Sequence, residues 1–128
     1  SVEHAYQASK TLDQKERRQI ANLPTPGKAK RAGQKLEIRP DWEEVKVPIM
    51  ESLVRQKFTR HSSLKRLLLA TGNQEIQEGN TWNDTFWGVS LPTGEGRNEL
   101  GEILMRVRRE LRLSIRSDVN ARSNQVSC

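Results

Sequence analysis

The sequence predicts a mainly α-helical domain with a few short β-strands, an α+β fold. Three observations support this prediction. Apolar residues recur at three- and four-residue spacing through most of the chain, cap residues and prolines separate these stretches, and one segment near residue 80 has no helical period. The 128 residues fit a single compact domain, which we place at 1–116, followed by a polar and frayed tail at 117–128.

Cap residues and prolines place three short helices at the start of the chain. Ser1 is a suitable N-cap for the first helix. A second helix is predicted over 13–23, because Pro24 disfavours helical conformation in the residue before it. Thr25-Pro26 supplies an N-cap and a first helical position, so a third helix is expected over 25–33, where a glycine ends it.

Two further helices follow a turn at 39–42. The first is predicted to be a core helix, and its inner residues at helical spacing are Val45, Ile49, Met50, Leu53, Val54 and Phe58. Ser62 and Ser63 are candidate caps for the second, which ends at Thr71-Gly72. Its predicted inner residues are Leu64, Leu67 and Leu68.

The segment 74–91 differs from the rest of the chain. Short alternation at 75–78 predicts a strand, and 89–91 predicts another. Asn98 then follows a glycine-bearing loop and is predicted to cap the last helix. The inner stripe of that helix is Leu100, Ile103, Leu104, Val107 and Leu111.

Charge and cysteine content narrow the functional classes. The net charge of +6 favours anionic partners such as nucleotides, sugar phosphates or nucleic acid, with the densest basic sets at 28–31 and 106–116. The lone cysteine, Cys128, excludes a disulfide framework, and with only two histidines we expect neither a metal site nor a cofactor. No apolar run of membrane-spanning length and no secretory signal occur, so we expect a cytoplasmic protein that does not enter membranes.

Three segments are candidates for chemistry. The loop 80–88 combines Trp82, Phe86 and Trp87 with Asp84, which suits either a hydrophobic plug or a nucleobase and sugar site. The loop 94–98 precedes a helix N-terminus that could hold an anion, but on its own it is interpreted as a capped loop.

The third candidate is the first helix. Glu3, Gln7 and Lys10 lie at i, i+4 and i+7, and therefore form one column of the helix surface. Such a polar column usually faces solvent, and by itself it carries no functional assignment.

Several segments, taken in order, resemble one known family. They are Ser1–Lys10, Asp41-Trp42 with Met50 and Lys57-Phe58, Leu67–Gly72, Glu78, Asp84–Gly88 and Gly96–Arg108. Together they cover about residues 1–112 and resemble the NADAR family, also called YbiA-like. The resemblance implies a compact, mostly helical fold and an N-glycosidase that cuts a C–N bond between ribose and a base or amine. Family substrates include phosphoribosylamino-pyrimidine intermediates of riboflavin biosynthesis and ADP-ribosylated guanine.

The resemblance also assigns roles to residues. Lys10 is expected to attack the anomeric carbon and form a Schiff base with the opened ribose, while Glu3 moves protons. Because a lysine amine attacks only when neutral, we expect Glu3 to lie at a distance or to be protonated for part of the cycle. The expected substrate-binding residues are His4, Gln7, Trp82, Asp84, Trp87, Gly88 and Asn98, with the tryptophans stacking on the base and Asp84 and Asn98 holding hydroxyls or phosphate.

Two alternatives to an enzymatic function remain. The same fold could serve as a non-catalytic ADP-ribose or nucleotide-binding module, or the positive charge could serve nucleic-acid binding. The expected partners are a small ribosylated or phosphorylated substrate and ADP-ribosylated nucleic acid.

The sequence departs from the family pattern at its start. Family members usually carry a Phe-Ser-Asn-Phe-like stretch before the first helix. We expect that this stretch is supplied by a separate chain or has been removed.

Overall fold

The structure, a computed structural model, describes the backbone of residues 1–126 and the side chains of residues 1–121. In chain order its elements are α1 (Val2–Ala8), α2 (Gln14–Ala21), α3 (Pro26–Gly33), α4 (Trp42–Arg60), α5 (Ser62–Ala70), β1 (Gly79–Asn80), β2 (Val89–Ser90) and α6 (Glu99–Val126). The predicted mainly α fold with a little β-structure is confirmed. None of the helices in the described part of the chain is long and apolar enough to cross a membrane.

Side-chain caps begin the first three helices. The Ser1 hydroxyl accepts from the His4 backbone N–H, and the Asp13 and Thr25 side chains do the same at the starts of α2 and α3. The helices themselves are shorter than the pattern predicts at two ends. α1 ends at Ala8 rather than reaching Lys10, and α2 ends two residues before the expected Leu23.

The chain divides into two units, Ser1–Val54 and Arg55–Cys128. In the first unit, α1 packs on both α2 and α3. Its buried apolar residues are Tyr6, Ile20, Ala29, Trp42, Met50 and Val54. Met50 and Val54 were predicted to be inner residues of α4. The other predicted inner residues of this helix are half-buried: Val45, Ile49, Leu53 and Phe58.

In the second unit, α5 packs on α6. The predicted inner stripe of α6 is confirmed, with Ile103, Val107 and Leu111 buried and Leu100 and Leu104 half-buried. Leu67 was predicted to be an inner residue, but it is 66% exposed. The buried face of α5 is centred near Leu68, and Leu67 points about 100° away from its neighbour along the helix.

Several local predictions in the second unit are wrong. The strand expected at 75–78 is instead β1 at Gly79–Asn80, which pairs in parallel with β2. His61, without a side-chain hydrogen bond, occupies the N-cap of α5 in place of Ser62 or Ser63. The helical backbone continues through 117–126, where a frayed tail was expected, because the polar residues of that stretch tolerate a solvated helix. Cys128 lies outside the described residues.

Candidate active site

A hydrogen-bonded acid and amide lie on α1. Gln7 Nε2 donates to Glu3 Oε1 over 2.9 Å, one turn along the helix. Gln7 is only 4% exposed, while Glu3 is half-buried. The predicted column therefore holds its first two members together, and the amide fixes one oxygen of the carboxylate.

Lys10 lies just beyond the end of α1, in a turn whose N–H donates to the Gln7 carbonyl over 3.2 Å. Its side chain is half-buried against two rings. The Lys10 Nζ atom lies 5.6 Å from the centre of the Tyr6 ring and 5.9 Å from the centre of a Trp42 ring. Those two rings also contact each other, with centroids 5.1 Å apart. The amine is thus held on an aromatic wall.

Burial lowers the pKa of Lys10 below its ordinary value, because a desolvated ammonium is disfavoured. Glu3 acts in the opposite direction and raises the pKa, whereas the positive charges of Lys30 and Lys46 lower it. The net direction is downward. Glu3 therefore lies close enough to influence Lys10, and the lowered pKa makes the neutral amine that nucleophilic attack requires more accessible than in an exposed lysine.

Gln7 packs against the backbone of α3 at Gly33. A Cβ placed on Gly33 would lie 1.8 Å from Gln7 Oε1, so only glycine fits there without a shift of the buried amide. Gln7 Oε1 is also the buried side-chain atom without a hydrogen-bond partner among the described residues. An unsatisfied buried acceptor costs free energy, so the bond from Nε2 to Glu3 leaves the Gln7 amide only partly satisfied.

His4 was predicted to bind substrate, but both of its ring nitrogens have partners within the fold. Nδ1 lies 2.6 Å from the Ser1 hydroxyl, and Nε2 lies 2.9 Å from the Leu23 carbonyl oxygen. A carbonyl oxygen only accepts, so Nε2 carries the proton. His4 joins the start of α1 to the end of the α2 region, and a substrate would have to displace one of these bonds to reach it.

In the second unit, Asp84 organises the aromatic loop. Its Oδ1 atom accepts from the backbone N–H groups of Phe86 and Trp87, over 3.1 and 2.9 Å. Asn80 bonds to the Asp84 backbone in both directions. Trp82 is 65% exposed on this loop. Its exposed ring keeps the predicted stacking role open, while one oxygen of Asp84 is committed to the fold.

Two other predicted residues of this unit lie against backbone. Asn98, buried and with φ of 55°, accepts from the Glu78 N–H and donates to the Ile76 carbonyl, over 2.9 and 2.8 Å. Its amide therefore holds the preceding segment, while its backbone carbonyl accepts from the Glu102 N–H in the first turn of α6 over 2.9 Å. A Cβ on Gly88 would lie 2.2 Å from the Glu78 carbonyl oxygen, so this glycine allows β1 and β2 to approach.

Sequence reasoning assigned no site role to Tyr6, Trp42, Lys30 or Lys46, which all surround Lys10. Tyr6 could have been found, because it precedes Lys10 by four residues. The other three lie on α3 and α4, and no local spacing relates them to Lys10.

Residues 1–112 match the NADAR domain family. The chain belongs to the NADAR family. It is 40% identical to N-glycosidase YbiA of Escherichia coli (strain K12) over 111 residues, which are 85% of this chain and 68% of that protein. It is 38% identical to an N-glycosidase of Nostoc punctiforme over 117 residues, 88% of this chain and 74% of the relative.

Two further comparisons concern a larger protein and a solved structure. A riboflavin biosynthesis protein of Vibrio vulnificus is 40% identical over 113 residues, which cover 87% of this chain and 30% of that protein. The NMR structure of E. coli YbiA superposes with a TM-score of 0.81 at 38% identity and covers 88% of this chain and 67% of that chain. The family resemblance is confirmed, and with it the enzyme class, N-glycosyl hydrolase, at the level of the family.

Proposed function

We propose that this chain hydrolyses the C–N bond between ribose and a base or amine, with Lys10 as the nucleophile. The observation that carries the proposal is the half-buried Lys10 amine on the wall formed by Tyr6 and Trp42, with its pKa lowered. A lysine in that state supplies a neutral amine at lower pH than an exposed lysine does. The names of the relatives support the reaction class.

The two protons of the neutral Lys10 amine supply both proton transfers of the proposed reaction. The Lys10 nitrogen bonds to the anomeric carbon, the bond from that carbon to the base nitrogen breaks, and one amine proton reaches the leaving nitrogen. The second amine proton reaches the ring oxygen as the ribose opens, which leaves a Schiff base on Lys10. Water then adds to the imine carbon and releases the free sugar, which regenerates the amine.

Glu3 is the proposed proton carrier for these transfers. Its Oε1 atom is occupied by the Gln7 amide over 2.9 Å, so Oε2 is the oxygen assigned to proton transfer. General acid–base catalysis by a positioned carboxylate contributes about 10²–10⁴-fold to a rate. Glu3→Gln, which keeps the shape and removes the titrating group, should slow turnover by about that factor.

The proposed substrate is a phosphoribosylamino-pyrimidine, with ADP-ribosylated guanine in nucleic acid as the second candidate. The riboflavin biosynthesis name of the Vibrio relative favours the first. Stacking of the base on Trp82 or Trp87 and contacts from Asp84 remain predictions from the resemblance.

The experiment is a comparison of turnover and binding in three proteins: wild type, Lys10→Ala and Lys15→Ala. Lys15 is exposed on α2 and provides a charge-matched control. Lys10→Ala should lose turnover of the pyrimidine substrate by at least about 10³-fold, with little change in affinity measured by calorimetry, whereas Lys15→Ala should match wild type. Substrate binding without any turnover in wild type would instead favour the non-catalytic binding module.

A further inference from the structure

Four arginines of the second unit line one cavity. Arg106, Arg108, Arg109 and Arg112 of α6 surround a space of about 430 Å³ together with Asn73, and Glu102 is the one acidic side chain that lines it. The cavity therefore gathers four positive charges around one negative charge. Like charges in a concave surface repel one another and focus a positive potential, which favours an anion in that space.

Two of these arginines build the wall of the cavity. Arg108, which is 6% exposed, donates from Nη1 to the Thr71 hydroxyl and to the Gln74 carbonyl, over 2.8 and 2.9 Å. Arg112 donates to the Gly72 carbonyl and to Asn73 Oδ1, both over 2.7 Å. The segment 71–74 is thus fixed beside α6, and the cavity has a defined shape.

The other two arginines face solvent, and the same helix face continues beyond the cavity. Arg106 and Arg109 are exposed, and Arg116 is exposed two turns after Arg109. At about 100° per residue, Arg106, Arg109, Arg112 and Arg116 lie within about 120° of one another around the helix axis. From Arg106 to Arg116 the helix rises about 15 Å.

We infer that this arginine face of α6, defined by Arg106, Arg109, Arg112 and Arg116, is a phosphate-binding site. Guanidinium groups bind phosphate oxygens in pairs and stay charged at every physiological pH, so arginine suits this ligand better than lysine. At this length the face can contact more than one phosphate of a nucleic-acid strand. The phosphates could belong to a nucleic-acid backbone or to a small diphosphate, and the experiment below separates the two.

The test compares two double variants of the full chain that lose the same charge. Arg109→Ala with Arg116→Ala removes two exposed members of the face, and Arg18→Ala with Arg66→Ala removes two exposed arginines of α2 and α5. Binding of a fluorescein-labelled 20-nucleotide single strand is measured by anisotropy between about 50 and 200 mM NaCl. Pyrophosphate is titrated separately by calorimetry.

The site variant should bind the labelled strand at least about tenfold more weakly, and the magnitude of its slope of log affinity against log salt should fall by about 1.4, or about 0.7 for each lost phosphate contact on a single strand. The control variant should retain both the affinity and the slope of wild type. Arg109→Glu, a single exposed change, should weaken binding in the same direction.

Strand binding without detectable pyrophosphate binding would identify a nucleic-acid backbone as the ligand. Pyrophosphate binding that is lost in the site variant would identify a small diphosphate. Equal losses in the two double variants, or no binding of either probe at 50 mM NaCl, would overturn the inference.

Discussion

Gly33→Ala tests how tightly α3 holds the amide of Gln7. A Cβ at position 33 would lie 1.8 Å from Gln7 Oε1, 2.7 Å from Cδ and 3.1 Å from Cβ. Two of these distances are far inside van der Waals contact. Because Gln7 is 4% exposed, its side chain must shift within the packed interior to accommodate the new methyl group.

The expected magnitude follows from two opposing terms. Overpacking of a buried site destabilises a protein by about 1–3 kcal/mol, while alanine in place of glycine stabilises a helix by up to about 1 kcal/mol. Gly33→Ala should therefore lower the free energy of unfolding by about 1–2 kcal/mol. In a Gln7→Ala background the clash disappears, and the same change should be neutral or stabilising by up to about 1 kcal/mol.

The assay is a double-mutant cycle of wild type, both single variants and the double variant, each unfolded in urea. The predicted coupling between positions 7 and 33 is about 2 kcal/mol. If Gly33→Ala destabilises the protein equally with and without the Gln7 side chain, the packing argument is refuted. Turnover of the folded Gly33→Ala protein should also fall, because a displaced Gln7 amide no longer holds the Glu3 carboxylate.

Three further predictions concern charge and backbone packing. The rate of Schiff-base formation should rise with pH, since only the neutral Lys10 amine attacks. Lys30→Gln should move the midpoint of this pH dependence to higher pH, because it removes a charge that lowers the Lys10 pKa. An unmoved midpoint would contradict this. Arg108→Met should lower the free energy of unfolding by about 2–3 kcal/mol in urea, since its two acceptors lose a charged donor; a loss below about 0.5 kcal/mol would argue against a structural role. Gly88→Ala should lower the free energy of unfolding by at least about 2 kcal/mol, since a Cβ would lie 2.2 Å from a backbone carbonyl oxygen. Gly27→Ala is the control, because nothing lies within 4 Å of its Cβ, and thermal unfolding should show that it is tolerated.

Local chemistry made much of the helical fold predictable. The side-chain caps at Ser1 and Thr25 are encoded within three residues of the helices they begin, and the structure confirms both. The buried stripe of α6 is equally local, because helical spacing alone places Ile103 and Val107 on one face.

Features that depend on distant residues could not be predicted in this way. The position of β1 depends on the close approach of Gly88 to the Glu78 carbonyl, ten residues earlier in the chain. The Asn98 amide bonds to backbone at residues 76 and 78, so its true partners are about twenty positions away. A cap rule that considers only the following helix does not find these partners.

The candidate site also combines features that local sequence predicts with features that depend on distant residues. The family resemblance identified Glu3 and Lys10, and helical spacing placed Gln7 beside Glu3. One of the two rings beside Lys10, however, belongs to α4, and the positive charges that lower its pKa come from α3 and α4. These depend on how helices pack, which no single stretch of sequence specifies.

The most direct test of the central claim is chemical trapping of the Schiff base. The protein is incubated with a phosphoribosylamino-pyrimidine and sodium borohydride, and the lysines are then mapped by peptide mass spectrometry. The Lys10 mechanism predicts one reduced ribosyl adduct, on Lys10, that is absent from Lys10→Ala and retained in Lys15→Ala. Turnover of the substrate with an adduct on another lysine, or with none at all, would contradict it.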